Sequence, residues 1–318
     1  MSRLKPFFSG GQLSRQASLR ASEGELKRAA TRTGTRFLAV RSGACLLHEN
    51  APGWLALDEI EAWLQQPLDH EALILLGTED NQFLFALNLP DHEEGTGIAP
   101  PDGRGFLEGR GLLSEFDADT AALLAYTRAM SNWQNNHRYC GRCGSVNQRI
   151  EGGFVMQCSN EACATRSFPR LDPAVIVLVH DDERCLLGRQ PSWPEGRFST
   201  IAGFAEPGES LEDTLKREVK EETNIDISAV EYLGSQPWPF PAALMIGFHA
   251  QATSTDIRLN DQELAEAGWF TREQLREEVI LPPQQSIAFQ LIADWHDAKT
   301  DVALASIPPK AAFNAPRA

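Results

Sequence analysis

The four cysteines between positions 140 and 163 restrict the possible folds of this chain more than any other feature. They form two short-spaced pairs, Cys140-x2-Cys143 and Cys158-x4-Cys163, separated by fourteen residues. Two knuckles at that separation can set four thiolates tetrahedrally around one Zn²⁺ ion, and Gly141 and Gly144 permit the tight turns this needs. Four sulfur ligands leave no open coordination position, so the predicted role of zinc is structural. The chain lacks a secretory h-region, which favours a metal site over disulfides. The intervening RIEGGFVMQ carries a single arginine, which disfavours a nucleic-acid role for the ribbon. The expected organisation is an N-terminal domain over 1–135, a zinc ribbon over 136–169, a larger domain over 170–300 and an Ala/Pro-rich tail over 301–318.

Downstream of the ribbon, AVIVLVH (174–180) reads as a buried strand, followed by strands at CLLGRQ, FSTIAGF, VEYLGS, ALMIGFHAQAT and GWF. Helices are predicted over about 210–223, at TREQLREE and at QSIAFQLIADWHDA. Helices alternate with strands, but several neighbouring strands read as hairpins. That predicts a mixed α/β sandwich rather than a doubly wound parallel sheet. Upstream, the first ~35 residues read as irregular or loosely helical. Strands follow at RFLAVRSGACLLHE, EALILLGTED and QFLFALNL, the last two as a hairpin. A polar Gly/Pro loop over 89–105 precedes a helix over 117–136 that opens on an aspartate, giving an α+β domain with no residue that suggests chemistry.

The stretch REVKEETNI (217–225) looks at first like a solvated charge run. Projection at about 100° per residue divides it. With Glu218 at zero, Leu211, Glu222, Leu215 and Val219 fall at about 20°, 40°, 60° and 100°, whereas Glu212, Lys216, Lys220 and Asp213 lie at about 120–220°. Glu218 and Glu222 therefore lie on the apolar stripe, where carboxylates are costly unless paired or bound to metal. Glu221 is about 60° to one side and Arg217 is placed to orient the group. Ser210 is the expected N-cap, with Asp213 completing a capping box. Oxygen ligands of this kind suit Mg²⁺ or Mn²⁺ and metal-assisted attack of water on a phosphoanhydride.

Taken together, Gly203, Glu209, Arg217-Glu218-Val219 and Glu221-Glu222, spaced G-x5-E-x7-REV-x-EE, resemble the Nudix box of the Nudix hydrolases. The departure is Asn224, where the family usually has the glycine that ends the helix in a left-handed conformation. Asparagine is the next-best residue there. SQPWPFP (235–241) resembles the signature that follows the box in the NADH pyrophosphatase subfamily, and the order of N-terminal domain, ribbon and Nudix domain is also theirs. GGQLSRQASLR resembles the start of some members, which argues against a cleaved leader.

The resemblance implies a mixed-sheet α/β/α sandwich that hydrolyses NADH or NAD⁺ to AMP and nicotinamide mononucleotide. It implies Glu218, Glu222 and Glu263 as Mg²⁺ or Mn²⁺ ligands and Glu221 as a further ligand or a helper of the base, with Arg217 and Glu209 completing the catalytic set. It implies Gln236, Pro237, Trp238, Pro239, Phe240, Pro241, Ala242 and Ala243 as the nucleotide-site lining, with Ile176 and Ala288 as further pocket residues. Phe204 and Phe168 would sandwich adenine, Phe168 from the second subunit of a homodimer. NAD-cap removal from RNA 5′ ends by the same chemistry, or an inactive Nudix nucleotide-binding module, are the rival readings.

A formal charge of −15 repels nucleic-acid phosphate unless a local basic patch or bound cation intervenes. No apolar run approaches the ~20 residues of a membrane span. The sequence reads as cytoplasmic, although its Arg- and Ser-rich start leaves organelle import open.

Overall fold

The structure is a computed structural model that describes residue 4 and residues 6–89, 100–107, 116–260 and 263–308. Most of the predicted 89–105 loop and the end of the predicted tail lie outside the described residues. The chain divides into two compact units. One comprises residues 8–171 and 238–242, the other residues 1–7, 172–237 and 243–318.

In the first unit, the predicted strands form a mixed sheet of β1 (Arg36–Arg41), β2 (Ala44–His48), β3 (Ala51–Pro52), β4 (Leu73–Glu79), β5 (Gln82–Leu89) and β6 (Gly105–Leu107). The strand order is β3-β2-β1-β5-β4, with β6 on β2; β1 and β5 are parallel. Helices α1 (Glu23–Ala30), α2 (Leu57–Leu64) and α3 (Ala118–Asn136) accompany it. The Asp117 carboxylate accepts hydrogen bonds from the backbone N–H groups of Asp119 and Thr120, so α3 starts where its aspartate predicts. Helix α2, eight residues long, was not anticipated, because so short an apolar pattern is hard to separate from a strand.

The ribbon is a three-stranded antiparallel sheet of β7 (Asn147–Ile150), β8 (Val155–Cys158) and β9 (Arg166–Ser167). It belongs to this unit's core. Met156 is buried with Leu75 and Trp133 in one cluster. The β7–β8 turn is tied down by two hydrogen bonds, Leu75 N to Gly152 O (2.9 Å) and Gln134 Nε2 to Gly153 O (2.8 Å).

The second unit is built on β10 (Asp172–His180), β11 (Arg184–Arg189), β12 (Ile201–Phe204), β13 (Ile227–Trp238), β14 (Ala243–Ala252) and β15 (Glu266–Thr271). Its order is β13-β14-β10-β11-β15, with β12 on β10. β10 and β14 are parallel, while β10–β11, β10–β12 and β11–β15 are antiparallel, so the sheet is mixed as predicted. Helices α4 (Leu211–Thr223), α5 (Arg272–Glu277) and α6 (Ile287–Asp297) complete it.

The continuous apolar run of β10 has a direct cause. Val175, Val177 and Val179 pack with Leu215 and Val219 of α4, while Ile176 and Leu178 pack with Leu291, Ile292 and Trp295 of α6. A strand covered on both faces has no reason to alternate. This is an α/β/α sandwich.

The strand predicted at VEYLGS is longer than expected, because β13 continues into SQPWPFP as far as Trp238. Since β13 is the sheet's edge strand, the missing N–H of Pro237 is tolerated there.

Leu215 is fully buried between α4 and the sheet, whereas the next residue, Lys216, is exposed. Leu215→Ala is expected to destabilise the chain by about 2–5 kcal/mol. Lys216→Ala is expected to stay within about 0.5 kcal/mol of the parent. Urea unfolding of both variants measures the difference.

Candidate active site and metal centre

Helix α4 begins as its sequence dictates. Ser210 Oγ accepts from Asp213 N, and the Asp213 carboxylate accepts from Ser210 N, closing the predicted capping box. At the other end, Asn224 adopts φ 65°, ψ 8° and its N–H bonds to Lys220 O at 2.9 Å. Its side chain adds a contact glycine lacks, since Nδ2 donates to Asp256 O at 3.0 Å. The substitution at the family's glycine position therefore keeps the left-handed helix end.

The projected faces are observed. Glu222 is buried at 4% exposure, Glu212, Lys216 and Lys220 are exposed, and the Glu218 side chain is 12% exposed. Glu221 is the open member, with its side chain 56% exposed. Gly203 explains how Glu218 fits. A Cβ on Gly203 would fall on the Glu218 carboxylate, so this placement of the carboxylate depends on the glycine.

Arg217 organises the cluster. Its Nε and Nη2 grip both Glu209 oxygens at 2.6 and 2.9 Å, and Nη2 also reaches Phe204 O at 2.9 Å. Nη1 meets Glu221 Oε2 at 3.1 Å and Glu218 Oε1 at 2.9 Å. Glu209 further accepts from Thr214 Oγ1 and Glu206 N, both at 3.0 Å.

The Arg217 hydrogen bonds lead in holding Glu209 at about 2, well below a free carboxyl. Glu218 moves the other way. Burial raises its pKa against the pull of Arg217, and Glu221 and Glu263 add like-charge repulsion. Glu263, exposed and far along the chain, is thereby placed in the electrostatic neighbourhood of Glu218. One guanidinium faces the carboxylates of Glu209, Glu218 and Glu221, which leaves acid in excess before Glu222 or Glu263 is considered. That excess, made of hard oxygens, fits a divalent cation.

The proposed nucleotide residues are distributed unevenly. Phe204, at the end of β12, presents an exposed ring beside Gly203, and Phe168 is exposed in the other unit. Ile176 and Ala288 are buried in the cluster of α6. Gln236 is 1% exposed and its amide is fully engaged. It donates to Phe7 O and Gln285 O and accepts from Ile287 N. Gln236 thus holds the start of α6, and Pro237 follows it at the strand's end.

Trp238, Pro239, Phe240, Pro241 and Ala242 cluster with the first unit. There, Arg128 Nε donates to Pro239 O at 3.1 Å, Arg128 Nη1 donates to Gly43 O at 2.6 Å, and the guanidinium lies 5.1 Å from the Phe240 ring. Phe8 packs edge-on against Trp238 and Phe240. Ala243 opens β14, in register with Asp172. Sequence reasoning passed over Arg128 and Phe8, since no spacing links them to a motif more than a hundred residues away. It also passed over Thr214, which looks like an ordinary helical residue.

Cys140, Cys143, Cys158 and Cys163 converge as the spacing requires, their sulfurs all within 4.8 Å of one another. The closest pairs, Cys143–Cys158 at 3.4 Å and Cys140–Cys163 at 3.8 Å, match the edge of about 3.8 Å expected for four sulfurs each ~2.3 Å from zinc. The cluster fits structural Zn²⁺.

A two-faced mixed sheet carrying a glutamate-rich helix against a glycine strand end is a NUDIX domain, and that family matches residues 170–293. The NADH pyrophosphatase zinc ribbon domain matches 135–168, and the NADH pyrophosphatase-like rudimentary NUDIX domain matches 34–133. NAD-capped RNA hydrolase NudC of Pseudomonas putida (strain GB-1) is 36% identical over 264 residues, covering 83% of this chain and 87% of that protein. Human NAD-capped RNA hydrolase NUDT12 is 35% identical over 274 residues, 74% of this chain and 59% of that longer protein. A NUDIX hydrolase structure from Nitrosomonas europaea has a TM-score of 0.37 at 24% identity, over 50% of this chain and 86% of that one. The chain belongs to the NADH pyrophosphatase family of Nudix hydrolases.

Gly203→Ala is expected to displace the Glu218 carboxylate and lower turnover by roughly 100-fold, the scale of an ~1 Å misplacement. Asn224→Gly is expected to retain stability, whereas Asn224→Ala should cost about 1–2 kcal/mol from left-handed strain alone. Thermal unfolding of the two Asn224 variants, with steady-state assays of the Gly203 variant, checks both.

Proposed function

We propose that this chain hydrolyses the pyrophosphate of NAD(H), giving AMP and nicotinamide mononucleotide in the redox state of the substrate. The observation that carries this reading is the Arg217-centred carboxylate cluster packed on Gly203, which concentrates negative oxygens beside the exposed ring of Phe204. Glu218, Glu221, Glu222 and Glu263 are the residues assigned to hold Mg²⁺ or Mn²⁺, since oxygen-only ligands suit those ions. When bound, such ions neutralise phosphate charge and lower the pKa of coordinated water.

The remaining roles fall to the chain itself. Arg217 fixes the directions of the Glu218 and Glu221 carboxylates, and Glu209 fixes Arg217. Hydrolysis forms a bond from a water oxygen to one phosphorus and breaks the bond from that phosphorus to the bridging oxygen. The bridging oxygen leaves on the other mononucleotide, and the two protons of the water are released as both phosphomonoesters ionise, since their second pKa is about 6. Phe204 is assigned to stack on the adenine. Phe168, contributed by a second copy of the chain, is assigned to the opposite face, in keeping with the solvent exposure of both rings. Gln236 is assigned a positioning role, its amide being bonded to two backbone carbonyls and a backbone N–H, and Arg128 holds the Pro239 carbonyl.

A second substrate form follows from the relatives' names. The bacterial and human proteins are both called NAD-capped RNA hydrolases. An NAD cap offers the same pyrophosphate at an RNA 5′ end. The net charge of −15 works against tight binding of the RNA body and favours recognition of the cap alone. Among the described residues, no helix is long and apolar enough to cross a membrane.

Glu222→Gln is expected to lose metal-dependent turnover of NADH by at least about 100-fold while its circular dichroism stays unchanged. Chromatography of the products identifies AMP and nicotinamide mononucleotide; near-normal turnover in this variant would overturn the assignment. Parallel assays on free NADH and NAD-capped RNA at equal concentration rank the two substrate forms.

A further inference from the structure

The first unit contains a cavity of about 300 Å³ that the hydrolytic chemistry does not use. Its wall has two characters. Among the described residues, Arg41 of β1, Arg138 after α3 and Arg149 of β7 supply guanidinium groups to the wall, and Asp69 is its carboxylate. In a chain of net charge −15, arginines outnumber carboxylates among the described residues of this wall. The other side is apolar, formed by Trp63 and Leu64 of α2, Leu68, and Leu87 and Leu89 of β5.

The wall is built rather than loose. Asn88, 4% exposed, is locked to α3 by hydrogen bonds to Gln134 and Asn135 and from Ser131. The guanidinium groups of Arg138 and Arg149 close no ion pair among the described residues. Arg149 feels Asp69 as an attractive charge and Arg138 as a repulsive one, and its burial lowers its pKa. Two buried donors on the wall, Trp63 Nε1 and Arg149 Nε, have no acceptor among the described residues. A wall with donors in excess of acceptors, positive on one side and apolar on the other, suits a ligand that is anionic at one end and flat at the other. The volume is at the small end of ligand pockets.

We infer that this cavity binds a nucleoside monophosphate, with the phosphate toward Arg138 and Arg149 and the base against Trp63 and the leucines. The inference is independent of the hydrolytic assignment, because none of these residues belongs to the glutamate cluster or to the SQPWPFP stretch. It adds a second nucleotide site to the chain, on the unit that carries the zinc ribbon.

Calorimetric titration of AMP into the zinc-loaded full chain tests it. A Phe204→Ala background removes the ring assigned to the other nucleotide site, and no further divalent metal is added. AMP is expected to bind, and Arg149→Gln is expected to weaken it at least tenfold. Arg138 is exposed, so Arg138→Gln leaves the fold intact and is expected to weaken AMP by a similar factor. Adenosine and inorganic phosphate are each expected to bind at least tenfold more weakly than AMP. AMP binding unchanged by Arg138→Gln, phosphate binding as tightly as AMP, or no AMP binding would each overturn the proposal.

Discussion

The site depends on the fork between Arg217 and Glu209. A guanidinium has five N–H donors in a fixed plane, and here they are shared among Glu209, Glu218, Glu221 and the Phe204 carbonyl. Two of these partners lie upstream of the helix and two lie on it. The fork therefore makes one rigid object of the end of β12, the turn at Glu206–Glu209 and the first three turns of α4. A lysine at 217 would present a single ammonium and lose the two-point grip on Glu209. The cost of bringing so many carboxylates together is visible at Glu218, whose proton affinity rises despite its cationic neighbour. Such an arrangement is stable as a receptor for cations more than as a closed set of ion pairs.

The sandwich supplies the platform. β10 gives its odd-numbered valines to α4 and its even-numbered residues to α6, which fixes both helices against one strand. Because β12 pairs with β10 from Ile201 to Phe204, Gly203 is set opposite Val175, directly beneath the helix that carries Glu218. Register in the sheet thus determines where the carboxylate finds room. The ribbon acts in a similar way on the other unit, where the four cysteines fix β8 and β8 delivers Met156 to the core.

Much of this was legible in the sequence, for identifiable reasons. The helical period separated Glu218 and Glu222 from Lys216 and Lys220, and the two cysteine pairs announced their own geometry. Ser210, Asp213 and Asn224 marked the ends of α4 because capping is local chemistry. Contacts between distant segments were not legible. The burial of Gln236 and the grip of Arg128 on Pro239 join residues far apart in the chain, and neither leaves a periodic trace. The extension of β13 through Trp238 was masked by prolines that an edge strand accommodates. The sequence shows Gly203 as a motif residue, but only the packed carboxylate shows that space, rather than backbone freedom, is what it provides.

The Gln236 amide also imposes an order of events during synthesis. It donates to the carbonyl of Phe7, 229 residues earlier, and nearby Leu4 N bonds to Leu233 O. Gln236 is made 229 residues after Phe7. At ~5–20 residues per second, the wait is roughly 10–45 s. Throughout that interval Phe7 O and Leu4 N lack the partners on β13 that they have in the folded chain. Phe7 and Leu4 can take these places only after Leu233 and Gln236 have been made.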